Sequence, residues 1–259
     1  IDFILMAAIT LIYAVVAFSN LGDRKAPETE YSVLGDGDLV LDFGKEVQIS
    51  KIWNFLGYAN NPKYLVYYSN TGGDEDWTDC FTEESPLDAG SVFHWNDTSV
   101  DLSARYLWIT PSEQTYEDSI MEMAFTDPDG NVLLPANASV YPALFDEQDL
   151  FTGRATYKNG TYFDEIYHAR TAYEMINHMY CYENTHPPLG KAFIALGVLM
   201  FGMNPFGWRF MGTLFGVLML PIFYVFSKKF FKESWLSTVT TVLFAFDFIF
   251  SSSVGLTLI

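Results

Sequence analysis

The sequence predicts a mixed fold, in which an all-β domain of the sandwich or jelly-roll type is inserted into a multi-span α-helical membrane region. Three observations carry that expectation. Half of the 259 residues are hydrophobic, yet the formal net charge is −18. The acid is confined to one part: positions 21–165 hold 27 Asp and Glu against 8 Lys and Arg, while the rest of the chain holds 5 against 6. Within the acidic part, short β-branched and aromatic segments alternate with Gly, Asn, Asp and Pro, which is the signature of strands and turns.

Taken in order, positions 1–20 read as a first transmembrane helix. The run has Asp2 as its sole charge and lacks both an initiator Met and a basic leading segment, so it resembles a span entered partway, although a clipped signal peptide also fits. Positions 31–135 are the expected extracytoplasmic β domain, with strands at 39–44, 47–55, 64–68, 106–109 and 120–125. Asp127-Pro128-Asp129-Gly130 supplies a turn, Pro fixing φ and Gly free to take φ > 0. Positions 136–188 are expected to form an external loop with an interfacial helix, because Ile166, Ala169, Ala172, Tyr173 and Ile176 recur at helical spacing between 164 and 178. Positions 189–259 hold three apolar runs: 189–203, short for a span; 207–227, long enough; and 235–259, with Asp247 as its only charge. The last run stops without a cap, a loop or a charged flank, which reads as an excerpt of a larger multi-pass protein.

Orientation carries a conflict. Lys228, Lys229 and Lys232 belong in the cytoplasm by the positive-inside rule, yet if 189–203 crosses fully they share a side with the acidic insert. Either the short run does not cross or the rule fails. The folded acidic insert is expected outside the cytoplasm.

The acidity argues against a nucleic-acid partner and against docking on anionic lipid. Chemistry concentrates instead where charge meets the apolar runs, a costly place for it. Phe163-Asp164-Glu165 and His168 precede His186-Pro187-Pro188-Leu189-Gly190-Lys191, and two prolines brace the entry to the next helix. Bland readings stand beside each. The two acids suit a helix start, Lys191 suits a snorkelling anchor, and two histidines suit ordinary polar contacts. Cys80 and Cys181 read as separate free thiols, with a bridge open in an oxidising compartment. Asn96, Asn137 and Asn159 form sequons.

The insert resembles the discoidin, or coagulation-factor-type C, domain through Leu41-Asp42-Phe43-Gly44-Lys45-Glu46-Val47, Ser50-Lys51-Ile52, Tyr67-Tyr68-Ser69-Asn70 with Trp77, and Ser103-Ala104-Arg105-Tyr106-Leu107-Trp108-Ile109. That resemblance implies a β-sandwich of a kind often used to bind carbohydrate or cell surfaces. Trp77, Trp95 and Tyr58 are candidates to stack on a sugar, core burial being the commoner fate of a sandwich tryptophan.

The membrane part resembles the protein O-mannosyltransferase family, polyprenyl-phosphate-sugar-dependent glycosyltransferases of the GT-C type. The match rests on Phe163-Asp164-Glu165 with His168 and Ala169, on Thr185 to Lys191, and on Asn204-Pro205-Phe206-Gly207-Trp208-Arg209. It implies inverting transfer of a sugar, mannose in that family, from a lipid phosphate to a protein Ser or Thr hydroxyl on the outer face of the membrane. Asp164 would be the base, Glu165 its neighbour orienting the acceptor or a metal, Lys191 and Arg209 the phosphate's receivers, and His168 and His186 further substrate contacts. No complete metal-ligand set is visible, so no metal is assigned; a divalent cation on the paired acids and a dimer stay open. Two departures stand out. A β domain precedes the acidic pair where the family has a short loop, and Ser251-Ser252-Ser253-Val254-Gly255 follows Phe246-Asp247-Phe248 where the family has a Gln-Thr-Arg-like stretch. The rivals are a membrane-anchored carbohydrate-binding protein and a catalytically silent regulatory relative.

Overall fold

The computed structural model describes residues 1–59 and 61–253, with side chains through Asp247. In chain order the elements are α1 (Asp2–Ser19), a one-turn α2 (Val33–Asp36), β1 (Leu39–Leu56), β2 (Lys63–Ser69), β3 (Thr78–Asp79), β4 (Leu87–Asp88), β5 (His94–Pro111), β6 (Ile120–Thr126), β7 (Val132–Leu133), α3 (Pro142–Phe145), α4 (Glu165–Ile176), α5 (Pro188–Phe201), α6 (Pro205–Phe231) and α7 (Ser234–Ser253). They divide into two compact units, one of Ile1–Lys25 with Tyr162–Ile259 and one of Ala26–Thr161.

The second unit is sheet-rich. Its strands form one antiparallel hydrogen-bonded sheet in the order β3-β2-β5-β1-β6-β7, with β4 also on β2. The strands expected at 39–44 and 47–55 are a single strand of 18 residues. Gly44, at φ 75°, and a register shift between Asp42 and Val47 take up the interruption, as a bulge does when it bends a long strand without ending it. Leu39, Leu41 and Phe43 point into the core while Val40 lies outside, the period-two alternation of a sheet with one buried face. Trp95 is 1% exposed and packs on Phe55 and Phe151. It is therefore core, not a sugar platform. Phe151 also meets Trp53, and Ala136 and Asn137 bond the β1 backbone at Asp42, so 136–161 folds with the sheet.

The first unit is helical, and two of its helices, α1 and α6, are long and apolar enough to cross a membrane. Asn204 caps α6 by accepting from the Gly207 N–H at 2.9 Å, and Pro205 occupies its first turn, which is why α6 starts two residues before the expected 207. α5 packs along α6 through glycine: a Cβ on Gly197 would fall 2.5 Å from the Gly207 carbonyl oxygen, so only glycine permits the approach. Phe193 of α5 meets Phe215 of α6, so α5 runs back along α6 rather than beyond it.

α1 and α6 are antiparallel. Phe18 meets Phe210 and the Phe206 N–H donates to the Asp23 carbonyl at one end, while Tyr224 Oη donates to Asp2 and Lys228 pairs with Asp2 at the other. Tyr13, Val217, Leu220 and Ala245 form the core where α1, α6 and α7 meet. Of the expected run 235–259, α7 is helical through Ser253; Val254 and Gly255, with the rest to 259, lie outside the described residues.

Candidate active site at the start of α4

Asp164 and Glu165 are adjacent in sequence and opposite in fate. Phe163, at φ 50°, turns the chain into α4 and leaves Asp164 at the N-cap position, exposed and with no side-chain capping bond. Consecutive helical positions point about 100° apart, so Glu165 turns inward. It is 5% exposed, accepting from Arg209 Nε at 2.7 Å, from Arg209 Nη2 at 2.5 Å and from the Tyr162 N–H at 3.1 Å. Arg209 Nη1 donates in turn to the Leu21 carbonyl at 2.9 Å. The exit of α1, the start of α4 and the first turns of α6 are thereby tied through one bidentate ion pair, the strongest geometry open to Arg and carboxylate.

A second cluster holds Lys191, His186 and His168. Lys191, in the first turn of α5, is 3% exposed; its ammonium donates to the Glu183 carbonyl at 2.6 Å and closely to the Glu183 carboxylate. Glu183 also accepts from the Thr185 N–H at 2.7 Å and lies 3.2 Å from His186 Nδ1. Lys191 and then Thr185 hold the Glu183 carboxyl well below the usual carboxylate range. Glu183 has no place among the sequence-derived candidates; the signal for it is an acid ahead of Thr185-His186-Pro187-Pro188 at a distance only the fold closes.

The His168 and His186 rings meet edge to face at 5.5 Å. His168 is 8% exposed, and its Nδ1 has no hydrogen-bond partner among the described residues. Burial first, then His186 and Lys191, lowers its pKa, while Glu183 and Asp164 act weakly in the opposite sense. It is therefore neutral at physiological pH and sits within the field of both acids. The turn between α4 and α5 is braced separately: Arg170 pairs with Glu174 at 2.8 Å and lies over the Tyr182 ring, and Glu174 accepts from the Tyr182 N–H.

The sequence-derived residues thus fall into three places. Glu165 and Arg209 form the buried clamp, His168, His186 and Lys191 gather around Glu183, and Asp164 projects as an open carboxylate. Cys80 and Cys181 are both free thiols. In the other unit, carboxylate oxygens of Glu122, Asp146 and Glu147 come within 4.8 Å of one another, as a cation could use. Glu122 is already engaged there by Gln148 and the Glu147 N–H, and Glu147 accepts from the Glu28 N–H at 2.8 Å. Burial pushes the Glu122 carboxyl up to about 8.

No family model matches the chain. A polyprenol-phosphate-mannose protein mannosyltransferase of Mycobacterium tuberculosis is 33% identical over 91 residues, covering 33% of this chain and 17% of that relative. Its counterpart in Mycolicibacterium smegmatis is 29% identical over 91 residues and is covered over 18% of its length. The chain spans less than a fifth of these relatives, and the likeness is to glycosyltransferases. A pectin-binding carbohydrate-binding module aligns with 43% of this chain and 80% of its own at TM-score 0.30 and 17% identity.

Proposed function

We propose that the chain belongs to a membrane glycosyltransferase that moves a sugar, mannose by the relatives' names, from a polyprenyl-phosphate donor to a Ser or Thr hydroxyl of a protein, with inversion. The observation that carries the reading is the division of labour in the acidic pair: Glu165 is buried and fixed by Arg209, whereas Asp164 beside it is exposed and spends no bond on capping. A general base needs such an open, rigidly based carboxylate.

Asp164 takes the proton of the acceptor hydroxyl as its oxygen attacks the anomeric carbon of the donor. The bond from that carbon to the phosphate oxygen breaks, and the lipid phosphate leaves with the electron pair. Lys191 stabilises the leaving phosphate: an ammonium has three N–H donors and Glu183 takes two of them. Arg209 acts through Glu165, holding the start of α4 rather than meeting the phosphate itself. Neutral His168 and the exposed His186 line the same region and orient polar groups of the donor. In this reading α1 and α6 cross the membrane in a GT-C-like arrangement, and the β unit is an extracytoplasmic sandwich of the discoidin kind.

The test is transfer from polyprenyl-phosphate mannose by the full-length protein. Asp164→Asn lowers turnover by roughly two to four orders of magnitude, the usual loss for a general base, with donor binding kept. Lys191→Ala weakens donor binding instead. Near-normal turnover of Asp164→Asn removes the base assignment and the proposal with it.

A further inference from the structure

The loop before α5 turns its hydrogen-bond donors onto a carboxylate of its own. Glu183 Oε1 accepts from the Thr185 N–H at 2.7 Å, from the His186 N–H at 3.3 Å and from Thr185 Oγ1, and it lies 3.2 Å from His186 Nδ1. The other oxygen, Oε2, takes the Lys191 ammonium. A carboxylate oxygen has about two lone-pair sites, so the polar groups gathered around Oε1 exceed what it can satisfy. The set suits an anion with more oxygens to share among them.

The carboxylate can leave without dismantling the seat it fills. Thr185 and His186 donate partly through the main chain, which a rotation of the Glu183 side chain does not move. Lys191 has a second hold, on the Glu183 carbonyl at 2.6 Å, that stays when the carboxylate swings away. At 3% exposure, however, Lys191 is costly to strip of its counter-ion, so a seat without a ligand needs an anion from the chain itself. His168, 8% exposed, meets the His186 ring and has Nδ1 without a hydrogen-bond partner among the described residues. It is a buried polar atom beside the seat that the resting arrangement leaves unpaired and a ligand can pair.

We infer that Glu183 is an internal stand-in for a phosphate: its carboxylate fills the phosphate seat while no ligand is bound, yields it to the donor, and reclaims Lys191 as the lipid phosphate leaves. This rests on the transferase reading for the ligand, a phosphate ester of a polyprenol, and adds a positioning residue to it. The third N–H of Lys191 meets the phosphate first, and the main-chain N–H groups of Thr185 and His186 follow as the carboxylate turns out. Exchanging one oxyanion for another keeps the buried ammonium paired at each stage. The product needs such a competitor more than the donor does. Transfer converts a phosphodiester into a phosphate monoester with a second ionisable oxygen, which an ammonium alone would hold harder.

The experiment measures binding of polyprenyl phosphate and of inorganic phosphate, together with transfer from polyprenyl-phosphate mannose, by the full-length protein in detergent. Glu183→Gln removes the competing charge and keeps the shape. Both phosphates then bind at least about fivefold tighter, the donor KM falls, and kcat falls with it because the product leaves slowly. Glu183→Asp, whose shorter arm draws the carboxylate back from Lys191, moves the same quantities in the same direction. In a Lys191→Ala background Glu183→Gln changes nothing, since its effect passes through that ammonium. A residue that only braces the loop gives the opposite sign, a raised KM with weaker phosphate binding. Unchanged or weaker binding in both Glu183 variants of a protein whose wild type transfers mannose overturns the stand-in and leaves the transferase. Tighter binding of inorganic phosphate without transfer from the mannose donor supports the stand-in and overturns the transferase reading.

Discussion

Removing the Arg209 guanidinium exposes what the Glu165 pair contributes. In Arg209→Ala the Glu165 carboxylate, 5% exposed, keeps the Tyr162 N–H and loses both donors of the fork, while the Leu21 carbonyl loses its Nη1 partner. Breaking a buried pair from one side costs about 3–5 kcal/mol, because it strands a charge. Glu165→Gln costs less, since its amide oxygen still accepts from the guanidinium and Arg209 keeps Leu21. Replacing both by apolar residues, Glu165→Leu with Arg209→Met, strands neither charge and recovers most of the loss. The measurement is denaturant unfolding in detergent of wild type, Arg209→Ala, Glu165→Leu and the apolar pair. A coupling of at least about 2 kcal/mol is expected for residues locked in one network. Additivity to within about 0.5 kcal/mol would refute the clamp, and Arg209 would then be a candidate to meet the phosphate directly. Arg209→Lys sharpens the distinction: a point charge cannot reproduce the fork, so a clamp predicts lower stability with the donor KM little changed.

Two further outcomes follow from the β unit. Glu122 has its carboxyl raised by burial to about 8 in the folded protein, so its contribution to stability is fully present below the unfolded value of about 4.5 and is lost as pH rises through about 8. Amide exchange around Gln148, corrected for intrinsic rates, should quicken over that range in wild type and stay level in Glu122→Gln; equal pH dependence in both would count against it. The excised segment Ala26–Thr161 should fold cooperatively without detergent, being within the size of an independent domain and strongly acidic. A flat, sheet-free circular dichroism spectrum would contradict this.

Local periodicity was enough to find most elements, and long-range pairing explains what it missed. The expected helix at 164–178 is α4, and the strands at 64–68 and 120–125 are β2 and β6 nearly to the residue. The segment 106–109 is only part of an 18-residue strand, because the first two thirds, from His94 to Arg105, interleave polar residues and face water at alternate positions. It has no apolar run to announce it, and its pairing with β1 makes it a strand. In the site the same division holds. The motif residues are recognisable one by one, but Arg209 lies 44 positions from Glu165 and Glu183 lies 8 from Lys191. Nothing in the spacing says that these charges neutralise each other. The resemblance makes Lys191 and Arg209 receivers of the phosphate; the fold adds that Glu165 holds Arg209 in a fork and that Glu183 takes two of the three Lys191 N–H donors.

The antiparallel contact of α1 with α6 also bears on the lysine conflict. The Asp2 end of α1 meets Tyr224 and Lys228, and the Asp23 end meets Phe206. α6 has 27 residues, about 40 Å of helix at 1.5 Å per residue. Lys228, Lys229 and Lys232 therefore lie at one end of α6 and the Glu165–Arg209 clamp at the other. α5, with 14 residues, folds back along α6. If α1 and α6 both span, the lysines and the acidic pair face opposite sides, which is the arrangement the positive-inside rule requires.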